Sequence, residues 1–301
     1  MSQPERDLLA SCLLELRDQV ADFDLVLSDD SLPPPPQAVC QGTPRLHTVL
    51  GGCKRLRTAQ HGAAHKLALT PGTWLYTTPY GWTEYDWSSV ERTFAITVHH
   101  GFVRYLLFDH DGSFDRNRHP RAPDYVYHSP APLSIAGRHL LAALDALARG
   151  TSARATTAHL VLRSLIDVLL EQIEHQEASP DPSHALWHRA VAYLHDHAQE
   201  PIDRRDVADA MGLHPNSLSR LFAKHDAEGF QQRLTRLRLE HSLLLLRDHA
   251  LSLETIAARS GFGSGANYFI RVFKQAYGLT PGRYRALPQG TPPPTQRAAA
   301  R

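Results

Sequence analysis

Two short runs near the C-terminus set an arginine in the same frame of apolar residues: Leu218-Ser219-Arg220-Leu221-Phe222 and Phe269-Ile270-Arg271-Val272-Phe273. In each, apolar residues four apart anchor one side of a helix and leave the other side free. An arginine on the free side can grip guanine through two hydrogen bonds, an asparagine can do the same with adenine, and an isoleucine can touch the thymine methyl. The alternatives for Arg220 and Arg271 are a phosphate contact or an internal ion pair. Recurrence at one register in both runs favours a nucleic-acid contact over the pair.

The residues ahead of each run specify the element that would present it. The first copy carries Ala208, Gly212 and Leu213, the second Ala257, Gly261 and Phe262. Each reads as a helix opening behind an N-cap (Asp203, Ser252), with a small alanine where a second helix crosses, ending at a glycine able to take the left-handed conformation. That is the specification of a helix-turn-helix, whose second helix enters a major groove about 12 Å wide. One Ala-x-x-x-Gly pattern is weak evidence, and two copies are strong. Between them, Phe230 to Asp248 reads as one continuous helix with Phe230, Leu234, Leu237, His241 and Leu245 on one face. Roughly nineteen residues make a rod of about 28 Å, near the 34 Å of one DNA turn, so it could hold two reading helices in successive grooves.

Over about residues 186–287 the chain resembles the AraC-type regulators. The likeness is carried by Arg238-Leu239-Glu240-His241, by Ser252-Leu253-Glu254-Thr255-Ile256-Ala257, by Gly261-Phe262, by Asn267 through Lys274, and by Gly278-Leu279-Thr280-Pro281-Gly282-Arg283-Tyr284-Arg285. The resemblance implies a seven-helix domain binding tandem or inverted half-sites near promoters. It implies Asn216, Ser217, Ser219 and Arg220, and Ala266, Asn267, Ile270 and Arg271, as DNA-binding residues. One departure is an extra residue in the turn between Phe262 and Phe269. Arg283 and Arg285 read as charges after the last helix, solvated or set against phosphates.

The front of the chain differs. Residues 45–109 hold short apolar stretches, Leu46–Leu50, Lys66–Leu69, Trp74–Thr77, Phe94–Val98 and Val103–Phe108, separated by breaks such as Thr70-Pro71-Gly72 and Pro79-Tyr80-Gly81. This predicts a small antiparallel β-structure. The passage Leu67 to Trp82 is similar to the strand-turn-strand of the cupin-like sensor domain that many AraC-type regulators carry, which implies a β-barrel followed by dimerisation helices. Residues 133–149 and 153–176 turn to helical spacing, with Leu162, Leu165, Ile166, Leu169 and Ile173 on one stripe. That stripe either packs on the protein's own β-structure or forms a dimer seam. Trp74, Tyr76, Tyr80, Trp82, Tyr85 and Trp87 cluster although aromatics are 8% of the chain. Core packing accounts for some of them. Rings with polar edges also suit an amphipathic ligand such as a sugar, and Trp74, Tyr76, Trp82 and Glu84 are the candidate effector-binding residues, with Trp82 at the barrel mouth.

Composition bounds the rest. The 301 residues are 42% hydrophobic and 21% charged, which is ordinary for globular chains and enough for two domains. Residues 1–183 hold 16 Lys+Arg against 21 Asp+Glu and residues 184–301 hold 16 against 10, so the basic half is the one carrying the repeat. No run of eighteen apolar residues occurs, and acids interrupt the opening segment where a signal peptide would be apolar. Three cysteines, Cys12, Cys40 and Cys53, without a CxxC suggest neither a disulfide framework nor a zinc knuckle, which fits a reducing cytoplasm.

The expected fold class is α+β in two domains. An effector-sensing and dimerisation domain spans 1–179, a linker 180–185, an all-α double helix-turn-helix domain 186–287, and a tail without packing residues 288–301. The expected protein is a cytoplasmic, dimeric, effector-controlled transcription regulator without a cofactor. Its expected partners are double-stranded DNA, a sugar or other small metabolite and RNA polymerase, with no membrane. A metal-dependent cupin oxygenase is the rival class, with His61, His65, His99 and His100 as ligands, though metal-binding cupins show a tighter pattern. A methyl-transferring repair protein would need an activated cysteine, for which only Lys54 and Arg55 beside Cys53 offer any charge.

Overall fold

The computed structural model describes residues 3–19, 24–35, 38–86, 88–99, 101–112, 125–129, 132–150, 155–175, 182–226, 228–263 and 265–287. The chain divides into two compact units, Met1–Pro180 and Asp181–Arg301. Within them, helix α4 begins at Pro182, so residues 182–185 of the expected linker form its first turn. The tail 288–301 lies outside the described residues.

In the first unit, among the described residues, helix α1 (Gln3–Gln19) precedes ten strands, and α2 (Ile135–Arg149) and α3 (Ala155–Glu174) follow them. The strands form two sheets and not a closed barrel. One has six strands in the order β1-β6-β3-β8-β9-β10, the other four in the order β2-β7-β4-β5. All the expected apolar stretches fall inside strands: β3 (Arg45–Gly52), β5 (Ala63–Leu69), β6 (Thr73–Thr77), β8 (Val90–Val98) and β9 (Val103–Asp111). Strands β1 (Asp24–Ser28), β2 (Val39–Cys40), β4 (Lys54–Gln60), β7 (Trp82–Asp86) and β10 (Tyr125–His128) were not expected. The case of β4 shows why: Lys54-Arg55-Leu56-Arg57-Thr58 has no apolar alternation, and its backbone is held by β5 and β7 on either side.

Strand alternation splits the side chains of the six-stranded sheet between two surroundings. Leu46, Trp74, Tyr76, Phe94, Ile96 and Tyr105 join one apolar core with Leu9, Leu13, Leu144, Leu162, Leu165 and Ile173 of the helices. Val49 and Leu75 instead meet Leu56 and Leu69 of the four-stranded sheet in a second, smaller cluster. Leu162, Leu165, Ile166, Leu169 and Ile173 are each 0% exposed, so the α3 stripe packs on the protein's own β-structure. The alternative of a dimer seam through those five residues is thereby corrected.

The second unit holds, among the described residues, α4 (Pro182–His197), α5 (Arg204–Ala210), α6 (Pro215–His225), α7 (Phe230–Leu245), α8 (Leu253–Arg259), α9 (Ala266–Tyr277) and α10 (Pro281–Arg285). The central helix α7 is 16 residues long, about 24 Å, and so stops short of the expected Asp248. It is buried on more than one face. Leu239, Leu243 and Leu245 pack with Ile256, Ala257, Phe269 and Phe273, while Leu234 and Leu237 are also buried.

Candidate nucleic-acid interface and sensor interior

The two helical pairs are built alike from local signals. Asp203 caps α5 in a capping box, accepting from the Arg205 and Asp206 amides while the Asp206 carboxylate accepts from the Asp203 amide. Those amide bonds hold the Asp203 carboxyl below its usual range. Ser252 caps α8, accepting from the Thr255 amide. Gly212 (φ +67°) and Gly261 (φ +81°) both take the left-handed conformation in the turns that follow. Leu213 and Phe262 then close onto the carbonyls of Ala208 and Ala257 at 2.8 and 2.9 Å.

From Gly261 to the start of α9 the chain is two residues longer than from Gly212 to the start of α6. The extra length does not disturb the register. Counted from Pro215 and from Ala266, Asn216 and Asn267 both stand second, Leu218 and Phe269 fourth, Ser219 and Ile270 fifth, and Arg220 and Arg271 sixth. The fourth residues are 0% exposed and lock each helix to its unit. Asn216, Ser217, Arg220, Asn267 and Arg271 are exposed, while Ser219, Ala266 and Ile270 are half-buried.

Arg220 forms no ion pair among the described residues, and Arg271 makes only a cation–π contact, 5.4 Å from the centre of the Tyr268 ring. Neither is held in the internal ion pair that sequence left open. Ser219 is engaged on both sides, donating to the Pro215 carbonyl at 3.2 Å and accepting from Arg204 at 3.1 Å. Sequence reasoning missed Arg204, which lies outside the repeat, and Tyr268, an aromatic 45% exposed beside Arg271. Arg283 and Arg285 sit within α10, not after the last helix, because Thr280 caps a further short turn that starts at Pro281.

The side chains on α7 fasten the pairs to one frame. Arg233 chelates Asp226 through Nε and Nη2 at 2.6 and 2.7 Å, and Arg236 pairs with Glu228 and Glu240. Arg238 donates to the carbonyls of Ala198, Glu200 and Ile202, all in the connection that follows α4. Gly261 packs directly on this joint: a Cβ there would stand 2.5 Å from the Ala198 oxygen and 2.7 Å from Arg238 Nε.

In the first unit the four candidate effector residues lie elsewhere than expected. Trp74 and Tyr76 are 0% exposed and face the helices, where the Tyr76 hydroxyl donates to Asp145 of α2 at 2.5 Å. Trp82 is 2% exposed rather than at a mouth, its indole donating to the Leu32 carbonyl at 3.0 Å. Glu84 pairs with Arg57, its register partner on β4, on the outward side of the four-stranded sheet.

Between the sheets, beside the Val49–Leu56–Leu69–Leu75 cluster, polar side chains are buried as well. Lys54 pairs with Glu91, and both are buried. His47 is buried beside Tyr85, and burial, then Lys54 and Arg45, push its pKa well below the ordinary range, so the ring is neutral. Ser28 and Thr58 bond one another across the gap, and Arg45 of β3 reaches the carbonyls of Gly81 and Val39 on the opposite side.

Among the described residues no group of three or more His, Cys, Asp or Glu side chains is placed to hold a metal ion. His61 stands near Asp29, His65 lies exposed on β5, and His99 stacks on Phe102; His100 lies outside the described residues. The Cys12 thiol is pushed up to about 11 by burial and Glu15, the opposite of an activated nucleophile. No described helix is long and apolar enough to cross a membrane.

A helix-turn-helix domain family matches residues 207–287, which takes in the second half of α5 and all of α6 through α10. The HTH-type transcriptional regulator YijO of Escherichia coli is 29% identical over 80% of this chain and 81% of its own length. YpdC of the same organism is 32% identical over 51% of this chain and 54% of its own length. Among solved structures, the C-terminal domain of AraT, a response regulator from Geobacillus stearothermophilus, aligns at 28% identity over 38% of this chain and 95% of that chain, with a TM-score of 0.33. These relatives are regulators and not enzymes. With its repeated capped helix pairs and its matched domain, the chain carries a helix-turn-helix domain of the AraC type over residues 207–287 and is similar over a longer span to a transcriptional regulator.

Proposed function

We propose that this regulator reads promoter DNA with α6 and α9 as the recognition helices of two helix-turn-helix units, under control of a small molecule held between the sheets of the first unit. The observation that supports the DNA half is the matched register. Asparagine second and arginine sixth recur on two helices whose fourth residues are wholly buried, so the same side chains leave the same free face twice. On this reading Arg220 and Arg271 grip guanines, Asn216 and Asn267 adenines, Ile270 a thymine methyl, and Ser217, Ser219 and Ala266 lie along the same edge. Arg204 and Arg283 would take phosphates.

The sensor half rests on the polarity of the space between the sheets. Two sheets that pack only for stability bury apolar side chains between them. Here the larger apolar core is on the other side of the six-stranded sheet, and the interior carries Arg45, His47, Lys54 and Glu91. Such groups are costly to bury and suit a ligand with polar edges, a sugar or another small metabolite. A homodimer is the proposed assembly.

The test uses the full chain and duplexes selected from a random library. Binding should weaken linearly in log–log terms as salt rises. Arg220→Ala and Arg271→Ala should each cost about 1–3 kcal/mol on the selected site and flatten preference at one base position, the two positions about a helical turn apart. Equal weakening on every sequence would make both arginines phosphate contacts, and salt-independent binding would overturn the reading.

A further inference from the structure

The interior's polar groups are unevenly satisfied, and the shortfall gathers at one end. Arg45 is 3% exposed; its Nη2 donates to Gly81 and Val39, while Nε and Nη1 have no partner among the described residues. No carboxylate lies within ion-pair distance of it among the described residues, in contrast to Lys54, whose charge Glu91 answers. The hydroxyls of Thr43, Thr77, Thr78 and Thr83 are likewise buried and unpartnered. Thr77 stands opposite Arg45 in the β3–β6 register, Thr43 precedes Arg45 by two residues, and Thr78 and Thr83 flank the Gly81 turn that Arg45 reaches.

A buried guanidinium without a counter-charge is far costlier than a buried neutral group, and four unanswered hydroxyls beside it add to the cost. Each of the five side chains has a donor to offer an acceptor. We infer that the effector is an anion, a small carboxylate or phosphate whose charged group is bound by Arg45 with the threonine hydroxyls around it. This rests on the sensor reading above and narrows it from any polar metabolite to an acidic one. Burial lowers the His47 pKa, and the charges of Lys54 and Arg45 lower it further, which agrees with that sign.

The experiment follows melting of the full chain by tryptophan fluorescence, since Trp74 and Trp82 are buried in the first unit. The probes are benzoate, succinate and inorganic phosphate, against benzamide, succinamide and xylose as uncharged counterparts. An anion at saturation should raise the first unit's melting temperature by about 5–10 °C, with no response to its amide. Arg45→Met should stay folded and lose the response, because an apolar chain of similar length replaces an uncompensated charge. Should Arg45→Met fail to fold, Thr77→Val keeps the side chain's shape and should weaken the response several-fold. Carboxylate and phosphate arms tell the two anions apart. Equal stabilisation of wild type and Arg45→Met by xylose or the amides would leave the sensor reading standing and overturn the anion. No response of the wild type to any anion would overturn the inference whatever the variants do.

Discussion

Gly212 and Gly261 occupy equivalent turns, and their substitution by alanine should have unequal effects. Both have positive φ, so a Cβ costs about 1–2 kcal/mol in either turn, offset by up to about 1 kcal/mol from the less flexible unfolded chain. At Gly212 nothing lies within 4 Å of the added Cβ, so the net loss should stay near about 1 kcal/mol. At Gly261 the added atom falls 2.5 Å from the Ala198 carbonyl oxygen and 2.7 Å from Arg238 Nε. Neither the Ala198 carbonyl, just past α4, nor the guanidinium bonded to it can yield without breaking the 2.8 Å Arg238–Ala198 hydrogen bond. A charge-assisted bond contributes about 1.5–3 kcal/mol, which brings Gly261→Ala to about 2.5–4 kcal/mol. In a unit of this size each kcal/mol moves the melting temperature by about 4–8 °C, so the two variants should melt well apart. Thermal unfolding read at Trp187, the one tryptophan of the second unit among the described residues, measures the difference. Equal losses would refute the argument that the α4–α7 joint, and not the turn's φ alone, demands glycine at 261. DNA binding below both melting points should survive Gly212→Ala.

Three further outcomes are expected. Burial and Arg259 lower His241 to about 4, against about 6.5 in the unfolded chain, so the unfolded state takes up the proton first. The second unit should therefore hold full stability above pH 6.5 and lose up to about 3 kcal/mol between there and pH 4; a His241→Gln variant should show a flatter urea-midpoint profile, and an unchanged profile would clear His241 of the effect. Leu165→Ala should destabilise the first unit by about 2–5 kcal/mol in urea unfolding, while sedimentation of the folded fraction keeps the wild-type assembly state; dissociation without loss of stability would restore the stripe as a dimer seam. Arg238→Lys should lower the second unit's melting temperature, because a single ammonium cannot reach the three carbonyls that the guanidinium now bridges, and an unchanged melting curve would remove that joint from the account.

The C-terminal unit was legible because its signals are local. N-caps at Asp203 and Ser252, glycines four residues past Ala208 and Ala257, and apolar residues four apart each depend on chain neighbours, and repetition made them specific. Even the longer second turn, which clouds the register on paper, is absorbed before α9 begins, since burial of Phe269 fixes the helix's phase.

The first unit was legible only as alternation. Sequence alone determined that Trp74 and Tyr76 share a face and Leu75 takes the other, because successive strand residues must point apart. It could not say what covers each face, since the sheet is packed on both sides, by helices from distant parts of the chain on one and by a second sheet on the other. Large aromatics drew attention to the face that turned out to be core. The polar interior depends on strands far apart in sequence: Arg45 meets Thr77 and Thr97 only through pairing with β6 and β8, and Lys54 meets Glu91 across the gap between sheets. Strand periodicity is a property of the chain, whereas which face becomes interior is decided by what folds against it.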